Sequence, residues 1–279
     1  MAKQAMIFAA GLGTRLKPLT DTRPKALIPV GGETLIGRTI GRLMTFGYRD
    51  FVVNVHHFAK AIEDFVAEQD YAKFVRFSDE TAMLLETGGG LKKAAPLFDP
   101  NEPILIHNVD ILDNVDYNWF ANQHQADEDA VLLVSRRQTK RYLLFDNGMR
   151  LMGWINKETG EVKSPYQWLR LSDITIDDQL NVTAVAHSST SPLPSSLYAF
   201  AFSGIHSFSP CLFPLMDRFP DKFSIIEFYL SVCHRPRIVG LVKDDLQMID
   251  VGKLDSLTEA NAFLETNVNN VNNSVHEFK

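Results

Sequence analysis

The chain has 279 residues, enough for one large α/β domain or two smaller ones with ample core material. Its 45% hydrophobic and 22% charged content is ordinary for a globular protein, and a formal net charge of −6 argues against a broad nucleic-acid or anionic-membrane surface. Cys211 and Cys233 supply neither a disulfide framework nor zinc spacing; no apolar stretch approaches a membrane span, and no cleavable leader is expected, so the cytoplasm is the default.

Ala5-Met6-Ile7-Phe8 reads as a short buried strand. It opens into Ala9-Ala10-Gly11-Leu12-Gly13-Thr14-Arg15, and Pro24-Lys25 follows downstream. Glycine has no Cβ, so phosphates can approach the main chain closely. Arg15 and Lys25 place two positive charges near that rim. The stretch reads as a cradle for a nucleoside triphosphate. A dinucleotide fingerprint needs glycine where Leu16 stands, and a Walker A loop needs Gly-Lys-Ser/Thr where Gly13-Thr14-Arg15 stands.

Leu35, Ile36, Ile40, Leu43 and Met44 repeat at helical spacing, and Gly47 stops that helix. Phe51-Val52-Val53-Asn54-Val55 is the next strand. Phe58, Ala61, Ile62, Phe65 and Val66 mark one face of a second helix, and Phe74-Val75-Arg76-Phe77 a third strand. This alternation predicts an α/β, doubly wound, mostly parallel sheet, with ligands outside the carboxyl ends of its strands. Leu85-Glu86-Thr87-Gly88-Gly89-Gly90 reads as a bare glycine segment before a helix starting near Leu91, or as a flexible loop. Ile104-Leu105-Ile106 is a buried strand ending in His107-Asn108-Val109-Asp110. An acid there suits a divalent cation or caps a turn. His107 reads as a satisfied core histidine.

Trp119 and Phe120 sit in a helix ending near Ala126, and Ala130 to Val134 is a strand. The periodicity then changes. Tyr142 to Met152 around Asp146-Asn147-Gly148 is a hairpin, and Ile155 to Val162 around Thr159-Gly160 a second. The stretch 136–197 reads as an antiparallel lobe. Leu197 to Phe202 returns as a strand leading into Ser203-Gly204-Ile205, and Ser209-Pro210 starts a short helix. Ser224-Ile225-Ile226-Glu227 has the spacing of a capping box. Arg237 to Val242 is a strand. Met248-Ile249-Asp250-Val251-Gly252 places a second acid beside a glycine. Leu254, Leu257, Ala260 and Leu264 form a last amphipathic helix. The expected organisation is one domain over 1–265, with a nucleotide-binding half at 1–135 and a second half at 136–265, then a flexible tail at 266–279.

The run Phe8-Ala9-Ala10-Gly11, Gly13-Thr14-Arg15-Leu16-Lys17-Pro18-Leu19-Thr20 and Pro24-Lys25-Ala26-Leu27-Ile28-Pro29-Val30 closely resembles the signature of sugar-1-phosphate nucleotidylyltransferases. Leu85 to Gly90 looks most like the version in uridylyltransferases acting on N-acetylmuramate 1-phosphate. The resemblance implies a Rossmann-like nucleotide-diphospho-sugar transferase fold and a Mg²⁺-dependent reaction of an NTP, UTP by preference, with a sugar 1-phosphate. Arg15, Lys25 and Asp110 are then catalytic, with Asp110 and Asp250 the metal ligands. Ala9, Ala10, Gly11, Gly13, Thr14, Glu86, Gly88 and Gly89 contact the nucleotide. Asn108, Ser203, Gly204 and Glu227 contact the sugar phosphate, Ser203-Gly204-Ile205 forms a turn against the sugar, and the lobe 136–197 faces it. Val109 stands where the family usually has glycine, and Lys253 where it usually has threonine. No nucleic-acid or membrane partner is expected, and the chain is a monomer or homodimer. The alternatives are a GTP-dependent mannose- or heptose-1-phosphate guanylyltransferase, and a non-catalytic nucleotide-sugar-binding regulator.

Overall fold

The structure is a computed structural model describing residues 3–170, 173–180, 182–185 and 196–276. Parts of the expected lobe (171, 172, 181 and 186–195) and of the expected tail (277–279) lie outside the described residues. Two compact units emerge. One comprises Met1–Leu84, His107–Val115 and Gln247–Lys279, the other Leu85–Ile106 and Asp116–Leu246.

In the first unit the strand Lys3–Phe8 pairs in parallel with Tyr48–Val55, which pairs in parallel with Val75–Asp79. Ala5, Met6, Ile7, Phe51, Val52, Val53 and Val55 are fully buried, which is why these segments read as continuous apolar runs rather than alternating ones. Burying each larger side chain contributes about 1.5–3 kcal/mol. The helix Leu35–Thr45 is capped by Thr34, whose hydroxyl accepts from the Gly37 amide at 3.2 Å. It turns Leu35, Ile36, Ile40 and Leu43 inward. Gly47, at φ 87°, ends it in the left-handed conformation that glycine adopts without strain. The helix Ala59–Ala67 follows the second strand. A short antiparallel pair, Ile111–Asp113 with Met248–Asp250, joins segments far apart in sequence. The last helix, Leu254–His276, runs beyond Leu264 into the stretch read as a tail.

In the second unit Ala130–Ser135 pairs in parallel with Ile238–Val242 and antiparallel with Tyr198–Phe208. The start of Tyr198–Phe208 pairs with Arg141–Phe145, which continues antiparallel to Leu151–Asn156 and then Val162–Lys163, the two expected hairpins. Asp173–Ile176 and Val182–Val185 form a further antiparallel pair. Tyr142, Leu144, Ile155 and Leu169 are at the centre of the lobe's own core.

Three local expectations are corrected. Ser203-Gly204-Ile205 is a bulge inside one long strand, where the register with Ala130–Ser135 shifts and Gly204 takes φ 84°. The three glycines at 88–90 lie inside the helix Glu86–Ala94, not before it. That helix packs against Ile225–Val232, and there is no room for side chains: a Cβ on Gly88 would stand 2.4 Å from the Phe223 ring, and one on Gly89 1.9 Å from the Asp221 carbonyl. The helix around Trp119 spans Tyr117–Asn122, opened by the Asp116 carboxylate, which accepts two amides, and it stops before Ala126.

Candidate active site

The glycine loop leaves the carboxyl end of Lys3–Phe8, and a buried carboxamide holds its first turn. Asn54, which partners Phe8 in register, accepts from the Ala9 amide at 2.8 Å and the Ala10 amide at 3.4 Å. Its own Nδ2 donates to Glu80 Oε1 at 2.7 Å, and Glu80 is fully buried just past the third strand. Asn54 and Glu80 were not singled out by sequence reasoning. The available signal was a polar residue in an otherwise apolar strand, Phe51 to Val55. Beyond Ala10 the loop opens to solvent: Gly11, Leu12, Thr14 and Arg15 are exposed, while Leu16 is fully buried and anchors the far side. Gly13 takes φ 63°, and its carbonyl accepts from the Thr20 hydroxyl at 2.9 Å. A Cβ at Gly13 would press on Thr20 at 2.9 Å and on Lys25 at 3.1 Å.

Two ion pairs sit by this loop. Lys25, nearly buried, is bonded through Nζ to Asp110 Oδ2. Arg15 faces Asp250 at 4.0 Å, both side chains about half exposed. The carboxylates belong to adjoining segments: Asp250 partners Ile111 in register, and the Val251 amide donates to the Asp110 carbonyl at 2.8 Å. Gly252 leaves room for this arrangement, since a Cβ there would stand 2.6 Å from Asp250 Oδ1 and 2.7 Å from the Arg15 guanidinium. Val109 is buried, its amide donating to the Phe8 carbonyl at 3.1 Å. Asn108 is half-buried beside it.

The four charges cancel. An exposed pair such as Arg15–Asp250 contributes about 0–1 kcal/mol, so an arriving polyphosphate can take over its cation at little cost. That exchange frees carboxylate oxygens. Among the described residues no group of three or more His, Cys, Asp or Glu is placed to hold a metal. Two carboxylates with solvent access nevertheless fit Mg²⁺, which takes one or two of them and completes its shell with water and phosphate oxygens.

Behind Asp110 lies a buried pair, His107 and Asp113. Burial pushes the Asp113 carboxyl up, but the His107 hydrogen bond and charge, the Arg42 charge and the Val115 amide outweigh it. The carboxyl is held below its ordinary value.

Glu86, Gly88, Gly89, Ser203, Gly204 and Glu227 belong to the second unit. Glu86 is exposed, takes φ 62° and faces Lys222 at 3.7 Å. The Gly88 and Gly89 amides both donate to the Phe223 carbonyl, at 2.9 and 3.1 Å. Ser203 is buried, its hydroxyl donating to the Leu133 carbonyl at 2.8 Å and accepting from the Ile205 amide at 3.1 Å. Glu227 completes the capping box with Ser224. It also lines a cavity of about 370 Å³ with Arg137, Arg141, Lys163, Trp154 and Phe202.

In open α/β sheets ligands bind outside the carboxyl ends of the strands, and here that place holds an open glycine loop flanked by paired cations and carboxylates. Solved structures share the fold. The inositol-1-phosphate CTP transferase of T. maritima aligns at TM-score 0.66 and 14% identity over 91% of each chain. A UDP-glucose pyrophosphorylase complexed with UDP-glucose aligns at 0.65 and 16%, over 95% of this chain and all of the other. The nucleotidyl transferase family model matches residues 4–144, just over half of the chain, and the chain belongs to that family. It is 43% identical over 111 residues to the N-acetylmuramate alpha-1-phosphate uridylyltransferase of Caulobacter vibrioides, covering 39% of this chain and 46% of that protein. With the Neisseria meningitidis protein of the same name it is 41% identical over 115 residues, 41% of this chain and 49% of the other. The mannose-1-phosphate guanyltransferase of Hypocrea jecorina is 29% identical over 144 residues, 50% of this chain and 39% of that one. The chain spans about half the length of these two uridylyltransferases. No helix among the described residues is long and apolar enough to cross a membrane.

Proposed function

We propose that this chain joins a sugar 1-phosphate to a nucleoside triphosphate, with UTP preferred, giving a nucleotide sugar and pyrophosphate. The observation that carries the reading is the double pairing beside an open glycine loop: Lys25 on Asp110 and Arg15 on Asp250. One oxygen of the sugar phosphate attacks the α-phosphorus, a new P–O bond forms, and the bond from the α-phosphorus to the bridging oxygen breaks as pyrophosphate leaves. The attacking oxygen is already anionic, so no protein base is needed. The protein's task is to hold two polyanions together and spread the growing charge.

In this reading the Ala9, Ala10, Gly11, Gly13 and Thr14 backbone cradles the triphosphate, and Arg15 holds its outer phosphates. Lys25 leaves Asp110 to bridge the α-phosphate and the incoming phosphate. Asp110 and Asp250 would hold Mg²⁺, which draws charge off the α-phosphate when bound. The helix start at Glu86, Gly88 and Gly89 receives the base. Asn108, Ser203, Gly204 and Glu227 serve the sugar phosphate, and the cavity beside Glu227 takes the sugar ring. Residues 1–265 work as one nucleotidyltransferase domain, in the cytoplasm.

The preference for UTP, and for a muramate-type sugar, is supported by the identity to two uridylyltransferases, against 29% to the guanyltransferase. Pyrophosphate release with Mg²⁺ tests it, across UTP, GTP, dTTP, CTP and ATP against muramate, glucosamine, mannose and glucose 1-phosphates. Release with UTP and N-acetylmuramate 1-phosphate is expected. Release with GTP and mannose 1-phosphate moves the chain to the guanylyltransferases, and silence across the panel removes the transferase reading.

A further inference from the structure

His107 is almost fully buried, and both of its ring nitrogens face acceptors. Nε2 lies 3.2 Å from Asp113 Oδ2, and Nδ1 lies 2.7 Å from the Asn108 carbonyl oxygen. The Asn108 carbonyl oxygen only accepts, so Nδ1 carries the hydrogen it receives, and Nε2 is turned to the carboxylate. Asp113 Oδ1 accepts from the Val115 amide at 2.8 Å and from Arg42 at 3.4 Å, and Arg42 also donates to the Val115 carbonyl at 2.7 Å. The His107 ring is thus held from behind by a carboxylate that is itself fixed by the backbone and by the helix Leu35–Thr45.

The consequence falls on Asp110. The peptide joining Asn108 to Val109 is gripped at both ends: its oxygen by His107 Nδ1, its N–H by the Phe8 carbonyl at 3.1 Å. The Asp110 carbonyl is gripped in turn by the Val251 amide at 2.8 Å. With the backbone fixed on both sides, the Asp110 carboxylate keeps only its two side-chain torsions. We infer that His107 is a positioning residue: through the Asn108 carbonyl it aims the Asp110 carboxylate at Lys25 and at the phosphates of the substrate. The inference rests on the proposed role of Asp110 in nucleotidyl transfer.

The test compares His107→Phe, which removes both ring nitrogens, with His107→Gln, which keeps one donor. In folded His107→Phe, turnover falls about 10- to 100-fold, and the half-saturating Mg²⁺ concentration rises by a similar factor, as when groups behind a metal ligand are removed. KM for UTP stays within about twofold, because the loop and Arg15 are untouched. His107→Gln recovers part of the loss. A lowered Tm with unchanged turnover per folded molecule overturns the inference, since a purely structural residue gives that result. A second readout needs no substrate. ¹⁵N spectra show a protonated Nδ1 on His107, and the Val109 amide exchanges faster in His107→Phe while the Ile106 amide does not. An unprotonated Nδ1, or unchanged Val109 exchange, also overturns it. If the unmodified protein releases no pyrophosphate with any substrate pair, the transferase reading fails, and the Val109 exchange still decides whether His107 holds this turn.

Discussion

Asn54 and Glu80 form a buried polar couple beneath the glycine loop, the carboxamide Nδ2 donating to the glutamate Oε1 at 2.7 Å. The same carboxamide holds the first two loop amides through its oxygen. One side chain therefore sets the direction in which the loop leaves its strand. Asn54→Ala removes three hydrogen bonds, each contributing about 0.5–1.5 kcal/mol, for a loss of roughly 2–4 kcal/mol. Denaturant unfolding measures that loss. KM for UTP should rise with it, because the cradle is no longer preformed. An unchanged KM would separate the couple from nucleotide binding.

Lys25 is the cation closest to a carboxylate in the site and the less exposed of the two. Lys25→Ala should lower turnover about 10²–10³-fold, the scale for losing one transition-state charge contact. Asp110→Asn should lower turnover and remove its dependence on Mg²⁺. Steady-state pyrophosphate release checks both, and near-normal turnover in either variant removes that residue from the mechanism.

Gly252 is the point where Arg15 and Asp250 leave no space for a methyl group. Gly252→Ala should push the guanidinium and the carboxylate apart while leaving the fold intact. The expected result is a raised KM for UTP, about tenfold if one charged phosphate contact is lost, with Tm nearly unchanged. A large fall in Tm would mean that the glycine serves the backbone instead.

Asp113 carries an acid-dependent share of stability. Its carboxyl lies below the ordinary value in the folded protein, so the unfolded chain binds its proton more readily. The stabilisation is complete above the unfolded value of about 3.9 and is lost as pH falls through the lower folded value. Thermal unfolding from about pH 5 to about pH 2 should show an acid limb that steepens below about pH 4 in the unmodified protein. In Asp113→Asn that limb should flatten and the Tm at pH 7 should drop, since the variant weakens the buried hydrogen bonds that Asp113 makes with His107, Arg42 and the Val115 amide.

Arg141 reaches the cavity that also holds Glu227, and it brings positive charge to a carbohydrate-sized space beside Trp154. Arg141→Ala should therefore penalise a sugar bearing a carboxylate more than a neutral one. Comparing kcat/KM for N-acetylmuramate and N-acetylglucosamine 1-phosphates measures this. About a tenfold change in their ratio is expected from one charge-assisted contact, and an unchanged ratio takes Arg141 out of sugar selection.

Much of the molecule is written locally. Parallel strands buried on both faces need near-continuous apolar runs, so Ala5 to Phe8 and Phe51 to Val55 announce themselves. The Ser224–Glu227 capping box, the Gly47 stop and the two hairpins depend on neighbours in sequence and are legible for the same reason. The glycine loop is legible because Gly11 and Gly13 break the apolar run that precedes them. Tertiary structure alone decided the rest, since each remaining feature depends on a partner remote in sequence. Gly88 and Gly89 are small because Phe223 and Asp221 press on their helix, a contact no local pattern encodes. Asp110 and Asp250 come to lie on adjoining segments because the Val251 amide donates across to the Asp110 carbonyl and Asp250 pairs with Ile111. Asn54, Glu80 and His107 are polar residues within or beside apolar segments. Only the acceptors and donors that surround them in the folded chain show what that polarity is for.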